Sequence, residues 1–156
     1  MPDVAAETTL GVISMIASAV PLVLVVAAIV ALGVTGNLFT SSPFVIAAQV
    51  LAVGLSVWAR RSFPKGTFRV SAAPSSSPII RRGPYRFIRH PMYSAALLFV
   101  WAAVVSHLSV LTLAIGIALT VVVTARVIVE ERLLSSQFPE YRDYTRSTKA
   151  VVPYLF

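Results

Sequence analysis

The sequence contains no cysteine and few charged residues, and each absence excludes classes of protein. Without cysteine there are no disulfides, cysteine-ligated zinc sites, iron–sulfur clusters or thiol nucleophiles. Only 12% of the 156 residues are charged, whereas a soluble domain carries about 25%. The hydrophobic share is 57%. This composition argues against both a soluble globule and a disordered chain, and the length fits a single domain over residues 1–156.

Several catalytic motifs are missing as well. The seven glycines form neither G-x-G-x-x-G nor a P-loop. The two histidines are far apart and form no His-Glu-x-x-His motif, so we expect no metal site. No serine occupies a nucleophile-elbow pattern. These absences argue against nucleotide-phosphate cradles, metal hydrolysis and serine hydrolysis.

Charge is also absent from a long amino-terminal stretch. No ionisable residue occurs over 8–59, which is 52 residues, and one membrane-spanning helix needs about 20. The stretch therefore predicts two spans within 10–59, roughly 10–33 and 43–59. The first basic residue is Arg60, which argues against a cleaved signal peptide. We interpret Gln49 in the second span as a structural hydrogen-bonding residue between helices.

A second stretch, 92–125, contains no Asp, Glu, Lys or Arg, and His107 is its only histidine. One helix over these 34 residues would be about 51 Å long, which exceeds a hydrocarbon core of about 30 Å. The polar residues at 106–109 predict a turn between helices at about 92–105 and 109–129. The expected fold is therefore all-α: a polytopic bundle of about four transmembrane helices, the last two a hairpin, followed by a short cytoplasmic helical segment.

The basic residues predict the orientation of this bundle. Eight of the 13 Lys and Arg residues lie in 60–91, and the other five follow residue 125. The positive-inside rule places the amino terminus, the 60–91 segment and the carboxyl-terminal tail in the cytoplasm. We expect a multi-pass protein of a bacterial inner membrane. Its net charge of +7 favours membrane lipid as a partner, and we expect no nucleic acid.

The segment 81–93 combines arginines with aromatic residues in a pattern that includes Gly83, Pro84, Tyr85, Arg89, His90, Pro91 and Tyr93. A short helical stretch would place Tyr85 and Arg89 on one face, and Pro91 would begin the third membrane helix. A basic patch for lipid headgroups explains the arginines but not the tyrosines and the histidine. From residue types alone, a lipid patch and a ligand site are equally open.

The second charged segment, 126–144, follows the last apolar run. Arg126 and Glu130 are spaced for an i,i+4 ion pair on a helix. Adjacent Glu130 and Glu131 point about 100° apart on a helix, so we expect at most one of them to face the bundle interior. Ionisable residues at such depth favour a functional role. We predict that the tyrosines after Phe138, together with 151–156, form an amphipathic segment on the membrane surface.

Taken in order, these motifs resemble the isoprenylcysteine carboxyl methyltransferase and phospholipid methyltransferase family of integral membrane methyltransferases. The resemblance covers 81–153, which we expect to be the catalytic half. It runs through Gly83-Pro84-Tyr85, Arg89-His90-Pro91-Met92-Tyr93, Glu130-Glu131-Arg132-Leu133-Leu134, Phe138-Pro139-Glu140-Tyr141-Arg142-Asp143-Tyr144 and Pro153.

The resemblance implies S-adenosylmethionine as the methyl donor, S-adenosylhomocysteine as the product, and no metal. The residues that it implies for donor binding are Tyr85, Arg89, His90, Pro91, Tyr93, Glu130, Glu131 and Leu134. Aromatic rings including Phe138 would stack on the adenine or face the sulfonium. Arg89 or His90 would take the donor carboxylate, and Glu130 or Glu131 the ribose hydroxyls or the ammonium.

The resemblance also implies a lipophilic acceptor, with O-methylation of an isoprenylcysteine-type carboxylate as the first candidate reaction. The expected catalytic residues are Arg89, Arg126 and Glu131. A carboxylate acceptor needs no base, only orientation by Arg126 or Arg89, whereas an amine, thiol or hydroxyl would use a glutamate.

Three other functions remain open at this point. The acceptor can be a phospholipid amine or a small thiol or lipid. The chain can be a membrane reductase with a nicotinamide cofactor, or a lipid-binding membrane protein without activity. Binding of S-adenosylhomocysteine, of a nicotinamide cofactor or of neither separates these alternatives.

Overall fold

The computed structural model describes residues 20–63 and 80–151. These residues form five α-helices and one short 3-10 helix, and they contain no β-strand. The elements are α1 (Val20–Val34), α2 (Pro43–Arg61), the 3-10 helix (Gly83–Arg86), α3 (Pro91–Ser106), α4 (Val110–Gln137) and α5 (Tyr141–Ser147). The prediction of an all-α fold is confirmed for these parts of the chain.

The turn predicted between the last two long helices is present. Helix α3 ends at Ser106, and Ser109 caps α4 by accepting the backbone N–H of Thr112. The Thr112 hydroxyl in turn accepts the backbone N–H of Ser109 at 3.0 Å, which completes a capping box. The two helices run antiparallel. The Trp101 indole donates to the hydroxyl of Thr120 at 2.9 Å, and farther from the turn on both helices the Tyr93 hydroxyl donates to Glu130 at 3.1 Å.

The core lies between α1, α3 and α4. It is built from apolar side chains that include Ala28, Leu32, Val100, Val104, Leu119 and Val123. Helix α2 packs against α3 and buries Gln49, whose side-chain amide donates to the carbonyl of Leu38 at 2.8 Å. Gln49 is thus structural, as predicted, although its acceptor lies in the α1–α2 connection and not on a second helix.

Two of these helices, α2 and α4, are long and apolar enough to cross a membrane, while α1 and α3 are shorter apolar helices. The predicted end of the last long helix near 129 is wrong, because α4 continues without a break to Gln137. Its 28 residues span about 42 Å, well beyond a core of about 30 Å. The last turns of α4, which carry its charged residues, therefore continue the same helix beyond its apolar part. Residues 10–19 of the first predicted span lie outside the described residues.

One end of the bundle gathers the end of α2, the segment 80–90, the end of α4 and helix α5. Gly83 adopts a φ of +62°, and a Cβ on it would lie 2.0 Å from the Ser62 hydroxyl at the end of α2. Arg82 donates from Nε to the Ser62 carbonyl at 2.7 Å. A glycine is therefore needed at position 83, where the chain approaches α3. The close approach of Gly83 and Arg82 to Ser62 joins the end of α2 to the segment before α3.

Candidate active site

The segment before α3 leaves the helical path after Arg86. Ile88 forms a parallel bridge with Lys149, and the next two backbone N–H groups, of Arg89 and His90, donate to the carbonyls of Lys149 and Ala150 at 2.8 and 2.9 Å. The prediction that Tyr85 and Arg89 share a helical face is therefore wrong. An extended pairing with a distant segment satisfies the backbone groups that a helix would have used.

Arg89 makes a two-pronged ion pair with Glu131. Its Nε and Nη2 lie 2.6 and 3.2 Å from the two carboxylate oxygens. Its Nη1 donates to the carbonyls of Thr145 and Thr148. The side chains are only 10% and 23% exposed, so the guanidinium links α4 to the tail and fixes the Glu131 carboxylate in place.

His90 lies between the two adjacent glutamates. Its Nδ1 is 3.4 Å from Glu130 Oε2, and its Nε2 is 3.2 Å from Glu131 Oε1. The expectation that at most one of these glutamates faces the interior is therefore wrong. Their backbones do point apart, but an imidazole placed between them has a nitrogen on each side and is within reach of both flexible side chains.

Glu130 has two further partners. Arg126 Nη2 lies 2.8 Å from Glu130 Oε1 on the same helix, which confirms the predicted i,i+4 pair, and Arg126 is 6% exposed. The Tyr93 hydroxyl donates to the same oxygen at 3.1 Å, and the Tyr93 ring stacks on His90. We call the six residues Arg89, His90, Tyr93, Arg126, Glu130 and Glu131 the carboxylate network.

The tyrosines of α5 belong to this site. Tyr141 and Tyr144 are 2% and 4% exposed. The Tyr141 hydroxyl donates to Glu131 Oε1 at 3.4 Å, and the Tyr144 hydroxyl to the Tyr85 carbonyl at 2.5 Å. The prediction that Tyr141 and Tyr144 lie on the membrane surface is wrong, and its part concerning 152–156 lies outside the described residues. The i,i+3 spacing of the two tyrosines on a short helix, which puts both rings on one face, is the signal that indicates a packed role.

The remaining predicted residues surround the network. Tyr85 is half-buried in the 3-10 helix, with its ring edge-on to Phe63. Pro91 is buried at the first position of α3. Leu134 is half-buried one turn after Glu130 on α4, and Phe138 directly follows the end of that helix. The structure thus brings both motif segments to one end of the bundle.

Burial and neighbouring charges shift the pKa values of several groups in the site. Burial opposes a charge on His90, but hydrogen bonds to Glu130 and Glu131 and their negative charges outweigh it, so the pKa of His90 is raised. Burial raises the pKa of the Tyr144 hydroxyl to about 12 and also raises the pKa of Tyr141. Both tyrosines therefore act as neutral hydrogen-bond donors at physiological pH.

An open groove of about 410 Å³ adjoins the network. Its lining residues are Glu131, Arg132, Ser135, Ser136 and Arg142. The glutamates remain 18% and 23% exposed, so their oxygens can accept further hydrogen bonds from hydroxyl or ammonium groups. No cluster of three or more His, Cys, Asp or Glu side chains that could hold a metal ion occurs in 20–63 or 80–151.

Comparison with known proteins supports the motif analysis. A family model described as phospholipid methyltransferase matches residues 8–141, which confirms the predicted family. The chain is 34% identical over 82 residues to the cobalt-zinc-cadmium resistance protein CzcN of Cupriavidus metallidurans. It is 32% identical over 81 residues to the nickel-cobalt-cadmium resistance protein NccN of Alcaligenes xylosoxydans xylosoxydans.

Each of these alignments covers 51% of this chain and 38% of the relative. The chain therefore matches well under half the length of either curated relative. No solved structure matches the chain.

Proposed function

Since the chain belongs to the phospholipid methyltransferase family, we propose that it is an S-adenosylmethionine-dependent methyltransferase that acts on a lipophilic acceptor. The observation that carries the proposal is the Arg89–Glu131 ion pair, which joins the two family motifs at one end of the bundle. The motifs are 42 residues apart, and a single shared site is the simplest reason to hold them together. We propose one membrane-embedded domain, with 81–153 as its catalytic half.

The chemistry of the carboxylate network fits the donor. S-adenosylmethionine carries a sulfonium, which activates its methyl group, together with an ammonium, a ribose diol and an adenine. The partly exposed oxygens of Glu130 and Glu131 suit the ammonium or the diol. Tyr93 and Tyr85 offer aromatic surface. Pro91 and Leu134 are the remaining residues of this region that we propose to contact the donor.

Arg89 is better suited to positioning than to holding the donor carboxylate. Its guanidinium already donates hydrogen bonds to both Glu131 oxygens and to two backbone carbonyls. His90 is engaged on both nitrogens. We therefore propose that Arg89 and His90 fix Glu131, with Arg126 doing the same for Glu130. The alternative role of Arg89 or Arg126 in orienting an acceptor carboxylate stays a prediction.

The network favours an acceptor that needs no deprotonation. Both glutamates are held by cations, and a carboxylate in an ion pair is a weaker base because protonation would break the pair. A carboxylate acceptor is already ionised at neutral pH. We therefore propose O-methylation of an isoprenylcysteine-type carboxylate as the first reaction to test, with a phospholipid amine or a small thiol as the alternative acceptor.

The decisive experiment uses S-adenosylmethionine labelled in the methyl group, the purified protein in detergent and an extract of membrane lipids. We expect label in the organic phase and a product that releases methanol in alkali, as a methyl ester does. A base-stable labelled product would favour the amine or thiol acceptor. Glu131→Gln should abolish binding of S-adenosylhomocysteine, whereas Glu140→Gln, an exposed acid outside the network, should preserve it. Binding of a nicotinamide cofactor instead would favour a reductase, and binding of neither a lipid-binding protein.

We further propose four spans, with the amino terminus, 60–91 and the carboxyl-terminal tail in the cytoplasm of a bacterial inner membrane. The absence of cysteine allows a direct test with single-cysteine variants. A membrane-impermeant maleimide should label Leu108→Cys in intact cells and should label Ser147→Cys only after lysis. Labelling of both in intact cells, or of neither, would contradict this topology.

A further inference from the structure

Four arginines around the carboxylate network fall into two groups. Arg89 and Arg126 are largely buried, and each is paired with a glutamate. Arg132 and Arg142 are exposed, line the groove and form no ion pair within the described parts of the chain. Two unpaired guanidinium groups in one groove provide the chemistry of an anion site.

The groove is built from one face of α4 and the first turn of α5. Arg132, Ser135 and Ser136 are spaced i, i+3 and i+4, so they share a face of α4. Arg142, near the start of α5, also lines the groove. Glu131 lines the groove and also belongs to the carboxylate network. A ligand in the groove is thus next to the proposed donor site.

The charge in this groove favours an oxyanion. Its only acidic side chain among the described residues, Glu131, is neutralised by Arg89. Asp143 is paired with Arg146, and Glu140 does not line the groove. The Ser136 hydroxyl donates to the carbonyl of Leu133 at 2.8 Å. Two guanidinium forks and the Ser135 hydroxyl remain, and this donor set suits a phosphate or a carboxylate.

The same face of α4 continues into the membrane-capable part of the helix. Val121 and Ile128 are 63% and 46% exposed and, with Ala125 between them, lead at intervals of three or four residues to Arg132. An acyl or prenyl chain can lie along this apolar ridge while its charged end reaches the groove. The ligand that fits both parts is an anionic amphiphile.

We propose that this groove binds the oxyanion of the lipophilic acceptor and holds it beside Glu131, with Arg132 and Arg142 as specificity-determining residues. The inference rests on the proposed methyltransferase function and adds the residues that recognise the charged end of the acceptor, a phosphate or a carboxylate attached to a hydrocarbon chain. The methyl donor occupies the neighbouring network and does not depend on these two arginines.

The test measures ligand-induced thermal stabilisation of the protein in a neutral detergent. The probes are dodecyl phosphate, laurate, zwitterionic dodecylphosphocholine and inorganic phosphate. We expect dodecyl phosphate and laurate to bind, and the double variant Arg132→Gln/Arg142→Gln to weaken both by about tenfold or more. Arg146→Gln, an exposed arginine of α5 outside the groove, should change their affinity by less than about twofold.

Further measurements separate failure of this proposal from failure of the proposed function. S-adenosylhomocysteine should bind the double variant as it binds the unmodified protein, and methyl transfer should show a raised KM for the acceptor. Loss of S-adenosylhomocysteine binding, or equal weakening in Arg146→Gln, would overturn the proposal. Binding of inorganic phosphate as tight as that of dodecyl phosphate would overturn the lipophilic acceptor in favour of a soluble anion. Arginine-dependent binding of dodecyl phosphate without methyl transfer would overturn the acceptor role and leave an oxyanion site.

Discussion

Helices α1 and α2 satisfy their buried polar groups differently from the half that follows Gly83. In the first half, the buried side chains of Gln49 and Ser62 both donate to backbone carbonyls, those of Leu38 and Trp58. In the second half, charged side chains satisfy one another across long sequence separations, as Arg89 and Glu131 do. Polar side chains in the first half therefore stabilise the backbone path, whereas charged side chains in the second half hold the carboxylates of Glu130 and Glu131 at fixed positions.

The largest effect that tests this difference is expected at Arg89. Arg89→Ala removes the cation that fixes Glu131, and misplacing a binding group by about 1 Å can cost about hundredfold in rate. We expect methyl transfer to fall by about that factor. Arg89→Lys should not restore it, because an ammonium cannot make the two-pronged pair. Arg86→Ala, an exposed arginine of the same segment, is the control. Wild-type rates in Arg89→Ala would show that the second half does not depend on this pair.

The next largest effect is expected on the stability of the protein, at the contact between Gly83 and Ser62. Gly83→Ala adds strain from positive φ and a clash with Ser62, so we expect unfolding to become easier by about 1–3 kcal/mol. Gly36→Ala shares the positive φ but meets no atom within 4 Å, and it should cost less. Thermal unfolding of both variants in detergent measures the difference. Equal losses would mean that contact with Ser62 does not constrain the return of the chain to α3.

A change confined to the first half should alter stability alone. Gln49→Met removes the bond to the Leu38 carbonyl and should destabilise the protein by about 1 kcal/mol. Binding of S-adenosylhomocysteine should be unchanged. Gln137→Met, at the exposed end of α4, is the matched control. A weakened donor-product affinity in Gln49→Met would contradict the separation of roles.

The smallest effect should come from pH. The pKa of His90 in the folded protein is raised above that of the unfolded chain, about 6.5. Protonated His90 therefore contributes stability that is complete below that unfolded value and is lost as pH rises through the folded value. The loss is limited, because a neutral imidazole still donates one hydrogen bond. Thermal unfolding between pH 6 and 9 should show this slope. His90→Gln should flatten it, and an unchanged slope in that variant would contradict the prediction.

Local patterns predicted much of this architecture. Prolines at 43 and 91 and the polar residues at 106–109 indicated helix boundaries that the structure contains. The i,i+4 spacing of Arg126 and Glu130 indicated their ion pair. Each of these features depends on residues a few positions apart, where sequence spacing determines geometry directly.

The features that the sequence did not reveal depend on contacts between distant segments. Nothing near Ile88 signals its pairing with Lys149, and that pairing ends the helical path of the motif segment. The inward position of Tyr141 depends on Glu131 ten residues earlier. The orientation of both glutamates toward His90 requires knowing where α3 begins relative to α4. Adjacent residues on a helix point about 100° apart, but two long glutamate side chains can still reach one imidazole that lies between them.

The segment 87–90 pairs with residues 148–151, which are synthesised about 60 residues later. Arg89, His90 and Ser94 each bond to backbone carbonyls in this late segment. A nascent chain that stops before residue 148 already has all four long helices, yet it lacks the groups that hold Arg89 against Glu131. The four long helices can therefore be synthesised while the carboxylate network is still incomplete, and residues 148–151 must be added before Arg89 has all its partners.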